Sequence, residues 1–139
     1  DPLGVSFDLI ADSEGQVGCV WHGQSEEIVR TLMQLPFVGA GSDGYALSQE
    51  GILGRRKCHP RSYGTFPRVL GKYVREEGVL TLAEAVRKMT AMPAERLGLT
   101  DRGTIREGAW ADVVLFDAAT VRDRATFSRM ATVTSQIRQ

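Results

Sequence analysis

The chain of 139 residues is poor in the side chains from which metal centres and disulfide frameworks are made, with two cysteines, Cys19 and Cys58, and two histidines, His22 and His59. Two thiols cannot staple a small secreted scaffold, and these do not form a Cys-x-x-Cys pair, so a reducing, cytoplasmic setting is expected. Net charge is absent as well, because 17 lysines and arginines balance 17 aspartates and glutamates. Without a summed positive field, neither nucleic acid nor an anionic membrane is an expected partner. No run of apolar residues approaches the length of a transmembrane span. The first residues lack the basic and apolar regions of a signal peptide, although the chain starts at Asp1 and an upstream targeting segment stays open. What is present, 42% hydrophobic and 24% charged residues without repeats, suits one globular core.

Asp1 to Glu14 reads as the end of a helix running into a turn. Gln16 to His22 is a compact apolar run between Gly15 and Gly23, the pattern of a buried strand. His22 at its end reads as a hydrogen-bonded structural group, since one imidazole makes no metal site. Ser25 stands where a helix N-cap belongs, with Glu26 and Glu27 on the positive end of the helix dipole. Ile28, Val29, Leu32, Met33 and Leu35 then share one face, and Pro36 ends the pattern. With Phe37 to Ser42 as a second strand, the order is strand, helix, strand, which is one unit of a barrel or of an open parallel sheet.

That second run ends in Gly41-Ser-Asp-Gly44, a carboxylate held between glycines. Ends of buried strands are where α/β barrels keep their chemistry, so Asp43 is the candidate working residue, against the plain alternative that Ser-Asp-Gly is a turn. The segment from residue 44 to 67 has no apolar periodicity, and long ordered loops are usually functional. Arg55, Arg56 and Lys57 read as a solvated charge run. Arg61 and Arg68, tied to prolines and an aromatic residue, are the candidate anion-binding groups, and His59 divides between loop structure and substrate contact. Pro67 fits the first turn of a helix carrying Val69, Leu70, Tyr73 and Val74 that stops near Gly78. Thr81-Leu-Ala-Glu84 is a capping box, in which Glu84 reaches back to the threonine amide, and Leu82, Ala85, Val86 and Met89 form the apolar face behind it. A short turn from Pro93 closes at Gly98, with Met89 and Met92 as core filling. Gly103 to Arg106 and Ala111 to Asp117 read as two short strands about a Glu107-Gly108 turn. Residues 128 to 139 are not assigned.

Gly41-Ser-Asp-Gly44, His59-Pro-Arg-Ser-Tyr-Gly-Thr-Phe-Pro-Arg68, Leu82 to Leu99, and Gly103-Thr-Ile-Arg-Glu-Gly-Ala-Trp-Ala-Asp-Val-Val-Leu-Phe-Asp117 together resemble the C-terminal part of an N-acyl-D-amino-acid deacylase, or D-aminoacylase, of the amidohydrolase superfamily. The resemblance covers about residues 7 to 127. It implies an α/β fold, namely the last two units of a metal-dependent (β/α)8 barrel over residues 1–99, with an active-site loop at 44–67, followed over 100–139 by part of a small β domain and a divergent or truncated tail. It further implies zinc as cofactor, a water activated by zinc to attack the amide, Asp43 as general base and acid at the end of the eighth strand, and Arg61, Arg68 and His59 as substrate contacts. A carboxylate beside metal-bound water can take the proton as the nucleophile forms and return it to the leaving nitrogen.

The metal ligands of that family have no counterpart among His22, His59, Cys19 and Cys58, so no metal-ligating residue is expected in this chain and it is expected to be inactive alone. The parent reaction is hydrolysis of an N-acyl-D-amino acid to a carboxylate and a free D-amino acid. Two alternatives stand beside it. The chain is a non-catalytic piece that associates with itself or with the missing barrel portion through unpaired edges and apolar faces, or the parent acts on another amide such as a hydantoin or dihydropyrimidine.

Overall fold

The computed structural model describes residues 1–17, 23–46, 51, 59–126 and 137–138. The first helix, α1 (Pro2–Asp12), starts from Asp1, whose side chain accepts from the Leu3 amide, with proline at the position where a missing N–H costs nothing. It ends in a turn at Glu14 and Gly15, both at positive φ, which is the helix-into-turn expected of this stretch. None of its residues is buried, and Leu3, Val5, Phe7, Leu9 and Ile10 face outward. The strand expected over residues 16–22 falls, at 18–22, outside the described residues.

Helix α2 (Glu26–Gln34) begins at Ser25 as anticipated, with the serine oxygen accepting from the Glu27 amide at 3.2 Å. The strand expected over Phe37 to Ser42 does not form: the chain turns through residues 35–37 and runs on without regular structure to residue 46. A ladder needs a neighbouring strand. Among the described residues none lies beside this segment, and its main-chain groups bond instead to a helix, the Ala40 amide donating to the Lys88 carbonyl at 3.3 Å. Of the expected strand–helix–strand unit, the described residues therefore show the helix.

The expected loop at 44–67 is helical at its end. Helix α3 (Arg61–Arg68) runs directly into a π-helical segment, Val69–Glu76, so Pro67 sits inside the rod rather than at its start. Wider turns follow the proline, whose ring crowds the carbonyl four residues back and which has no N–H for it. After Gly78, at positive φ, the chain reaches α4 (Leu82–Met89). Thr81 Oγ1 accepts from the Glu84 amide at 3.2 Å, the first half of the expected capping box. The second half is replaced, because both oxygens of Glu84 accept from Arg87 at 2.8 Å. Helix α5 (Ala91–Arg96) closes with Gly98 at positive φ, the Gly98 amide donating to the Glu95 carbonyl and the Leu99 amide to Ala94. These paired bonds are a Schellman motif, and only a residue without Cβ takes its left-handed position at no cost.

Beyond Gly103 the two expected strands shrink to β1 (Leu115–Phe116), which pairs antiparallel with β2 (Ile137–Arg138), Leu115 opposite Arg138. Gly103 to Arg106 and residues 111–114 stay irregular.

Among the described residues the core gathers around one cluster, with Met92 and Ala94 of α5 buried outside it. Val69, Leu70 and Tyr73 from the π segment, Ala85 from α4 and Val121 from the final loop are buried together, and Val29, Met33, Ala40, Met89 and Phe116 pack around them. Burying a valine such as Val69 or Val121 completely is worth about 1.5–3 kcal/mol. Close approach is required at Gly71, where a Cβ would meet the Val121 carbonyl oxygen at 2.8 Å. Arg75 ties the same loop down by donating from Nη1 to the Ala118 carbonyl at 3.2 Å and to the Val121 carbonyl.

One ion cluster joins α2 to the α3–π rod. Glu26 accepts from Arg68 at 2.6 Å and from the Tyr73 hydroxyl at 2.8 Å, and lies 2.7 Å from Lys72 Nζ. Beside it Arg30 grips Glu77 through two bonds at 2.8 and 3.0 Å. The hydrogen bond from Lys72, followed by those from Tyr73 and Arg68, outweighs partial burial and lowers the Glu26 carboxyl from 4.5 to about 2.

Two outcomes are expected. A carboxyl with a depressed folded-state pKa stabilises the fold fully above its unfolded value and loses that contribution as pH falls through the folded one. Stability should therefore decline between pH 4.5 and about 2, and Glu26→Gln should flatten that part of the profile in acid denaturation followed by circular dichroism. Gly71→Ala should lower stability by about 1–3 kcal/mol in thermal melts, because the obstacle is main chain that cannot rotate away.

Candidate active site

Asp43 stands at the apex of a segment pinned on both sides. On the α4 side, Lys88 Nζ donates to the Leu35 carbonyl at 2.5 Å and the Val38 carbonyl at 2.7 Å, and Arg87 donates to the Pro36 carbonyl at 3.1 Å. Gly39 lies where α4 gives way to α5, its Cβ position 3.3 Å from both the Lys88 carbonyl and Met92 Sδ. Ala40 then enters the core. On the α3 side, the Tyr45 amide donates to Ser62 Oγ at 3.3 Å, and a Cβ on Gly44 would come within 2.8 Å of Ser62 Cα. Between these anchors the Gly44 amide donates to Ser42 Oγ at 3.1 Å.

Asp43 itself is at φ +48, the left-handed region that residues with a Cβ seldom occupy, though aspartate tolerates it better than most. The tight turn is real, so the turn reading and the functional reading describe the same residue. Strain of this kind, held by surrounding anchors, is characteristic of functional sites. Its side chain is 87% exposed, and among the described residues the cation paired with it is Arg61, Nη1 at 3.3 Å. An exposed pair of this sort is worth about 0–1 kcal/mol. Both groups are thus free to exchange each other for a solute.

Arg61 opens α3, and the Arg61 amide donates to His59 Nδ1 at 3.1 Å. His59 therefore satisfies a helix N-terminal donor that Pro60, without a polar side chain, leaves unmet. The three candidates Asp43, Arg61 and His59 come together at the start of α3. Arg68 does not join them, since it lies at the other end of that helix, bound to Glu26, 4.0 Å from Asp123 and 5.9 Å from the centre of the Tyr73 ring.

Two participants escaped the sequence reading. Lys88 carries a charge yet is 2% exposed, and the signal for it was its place three residues after Ala85 on the apolar face of α4. Ser62 has no such signal, because its role depends on which loop returns beside it. Neither of two neighbouring cavities includes the candidate residues. An apolar cavity of about 200 Å³ is lined by Leu70, Val74, Leu82, Phe116 and Val121 among others, and a wider cleft of about 510 Å³ lies between Phe37, Met92 and Arg96.

Among the described residues no three histidine, cysteine, aspartate or glutamate side chains converge to hold a metal ion. The described residues by themselves therefore do not fit a zinc centre. No described helix is long and apolar enough to cross a membrane.

Comparison with known proteins agrees with the resemblance read from the motifs. The chain is 49% identical over 110 residues to the N-acyl-D-glutamate deacylase of Alcaligenes xylosoxydans xylosoxydans, a match covering 79% of this chain and 21% of that enzyme. The D-aminoacylase of the same organism is 39% identical over 121 residues, 87% of this chain and 23% of the relative. In structure the chain superposes, with a TM-score of 0.73 and 43% identity, on the N-acyl-D-glutamate deacylase of Bordetella bronchiseptica, solved with zinc and a phosphonate mimic of the tetrahedral intermediate. That match covers 83% of this chain and 23% of the deacylase, so the chain spans less than a quarter of the solved enzyme and its fold is that of one portion of it. The amidohydrolase family pattern extends across residues 29–139. From the left-handed Asp43 turn to the final β pair, the chain belongs to the amidohydrolase family.

Proposed function

We propose that this chain supplies Asp43 as the general base and acid of a zinc-dependent deacylase that hydrolyses N-acyl-D-amino acids to a carboxylate and a free D-amino acid. The observation that carries the reading is the state of Asp43: an exposed carboxylate in a strained left-handed conformation, pinned from two helices and paired with one exchangeable cation. A group so held can take a proton from an attacking water and deliver it to the departing nitrogen without first reorganising. Similarity to deacylases of acidic and other D-amino acids supports the substrate class. Zinc comes with that similarity, and its ligands lie outside the described residues.

Arg61 is the substrate-facing cation in this reading. Its guanidinium meets the Asp43 carboxylate through a single contact, and a substrate carboxylate could take both prongs of the same fork. His59 accepts from the Arg61 amide and so fixes where the arginine starts. Arg68, engaged by Glu26, belongs to the frame more than to the substrate. We further read residues 1–99 as barrel portion and 100–139 as the beginning of a small β domain, which the pairing of β1 with β2 supports. The outward Leu3, Val5, Phe7, Leu9 and Ile10 of α1 suit association with the remainder of such a barrel.

A chimera tests this. Replacing the matched segment of the Bordetella bronchiseptica enzyme by this chain should preserve zinc-dependent amine release from N-acetyl-D-glutamate and leave the L-enantiomer untouched, whereas the chain alone releases amine from neither. In that chimera Asp43→Ala should reduce kcat at least ~100-fold, as befits loss of a general acid–base group. A variant that keeps its rate would remove Asp43 from the mechanism. Arg61→Lys should raise KM at least ~5-fold with little change in kcat, because an ammonium cannot replace a bidentate contact. An unchanged KM would return Arg61 to a purely local role.

A further inference from the structure

Lys88 is a buried cation that no part of the acid–base chemistry uses. It is 2% exposed, and its Nζ lies 3.7 Å from Glu84, its nearest carboxylate. An ammonium taken out of water is costly unless its protons are met. Here they are met by main chain, the carbonyls of Leu35 and Val38, three positions apart where the turn leads into the approach to Asp43. The contact runs in both directions, since the Lys88 carbonyl accepts from the Ala40 amide at 3.3 Å. One residue of α4 therefore holds three main-chain groups of the segment that leads to Asp43.

The segment has no strand neighbour among the described residues to fix its position by a ladder. Arg87 adds one bond to the Pro36 carbonyl, and the absence of a side chain at Gly39 lets the segment lie flat on α4. Residue 41 begins the turn that presents the carboxylate. Any shift of Leu35 to Ala40 must therefore move the pivot from which that turn departs.

We propose that Lys88 is a positioning residue for Asp43: its ammonium clamps the Leu35 and Val38 carbonyls, and so sets where the left-handed turn places the carboxylate. The proposal rests on Asp43 being the working group, but its test does not depend on turnover. In the full chain, amide hydrogen exchange at Ala40 and Ala85 is compared between the wild type and Lys88→Met, and the carboxyl carbon shift of Asp43 is followed by NMR. Lys88→Met should speed exchange at Ala40 at least ~10-fold and displace the Asp43 signal, while the Ala85 amide within α4 stays within ~2-fold. Gly39→Ala, which leaves the cation in place and sets a Cβ 3.3 Å from the Lys88 carbonyl and from Met92 Sδ, so that the segment must lift from its seat, should displace the same Asp43 signal. An unchanged Asp43 signal in a folded Lys88→Met chain would overturn the proposal. So would equal acceleration at Ala40 and Ala85, which marks a general loss of the helix. Should Lys88→Met fail to fold, Gly39→Ala decides, and an unmoved Asp43 signal there overturns the proposal as well. Failure of the chimera with an Asp43 signal that moves as stated would sink the deacylase reading and leave the clamp standing.

Discussion

A buried ammonium with no strongly paired carboxylate must be satisfied by whatever surrounds it, and in this chain that requirement shapes the site. Lys88 recruits the carbonyls of Leu35 and Val38, which cannot be offered unless the chain leaves α2 in a turn and returns along α4. The constraint is stronger than a surface ion pair because water does not compete for the donor. It also explains why an apolar run that reads as a strand is not one here. Phe37 to Ser42 has the composition of a buried strand, yet its main chain is held by a helix.

The frame around that clamp is a second device of different character. Glu26 gathers Arg68, Lys72 and Tyr73 at a partly exposed surface, where each pair alone is weak and the network gains from sharing one carboxylate. Its carboxyl is drawn well below the ordinary range by these donors. Glu26 was legible only as a residue suited to the positive end of α2. Its three partners come from the α3–π rod, 42 to 47 positions along the chain, and no local pattern records that meeting. The hydrophobic cluster and the ion cluster bind the same pair of elements from opposite properties.

What the sequence made legible follows the range of the interaction. Ser25, Thr81 and Gly98 act within a turn of themselves, and their roles as caps could be read from spacing. The turn at Asp43 was legible in the same way, since Ser-Asp-Gly favours one for local backbone reasons. The failures are non-local or competitive. Glu84 was expected to reach back to Thr81, but a guanidinium three residues ahead offers a charged, two-pronged partner, and the stronger bond prevails. Pro67 was placed at a helix start because that is where proline is cheapest. The structure sets it within a continuous rod, where the following turns widen. The family was readable because its motifs are runs of neighbouring residues that keep their spacing, whereas a metal centre is assembled from side chains far apart in sequence.

The π-helical stretch gives the site a fixed phase. In such a segment each amide reaches back five residues rather than four, as the Glu77 amide does to the Lys72 carbonyl at 2.9 Å. The stretch thus holds one more residue per turn than the sequence around it needs for its length. The winding is slower, roughly 80° per residue against about 100° in an ordinary helix. Lys72 and Tyr73 thereby fall on either side of the line through Arg68, and all three reach the one carboxylate of Glu26. Ordinary winding would carry Tyr73 about 140° round from Arg68, away from that carboxylate. The rod therefore works as a screw of altered pitch, which brings three donors under one acceptor.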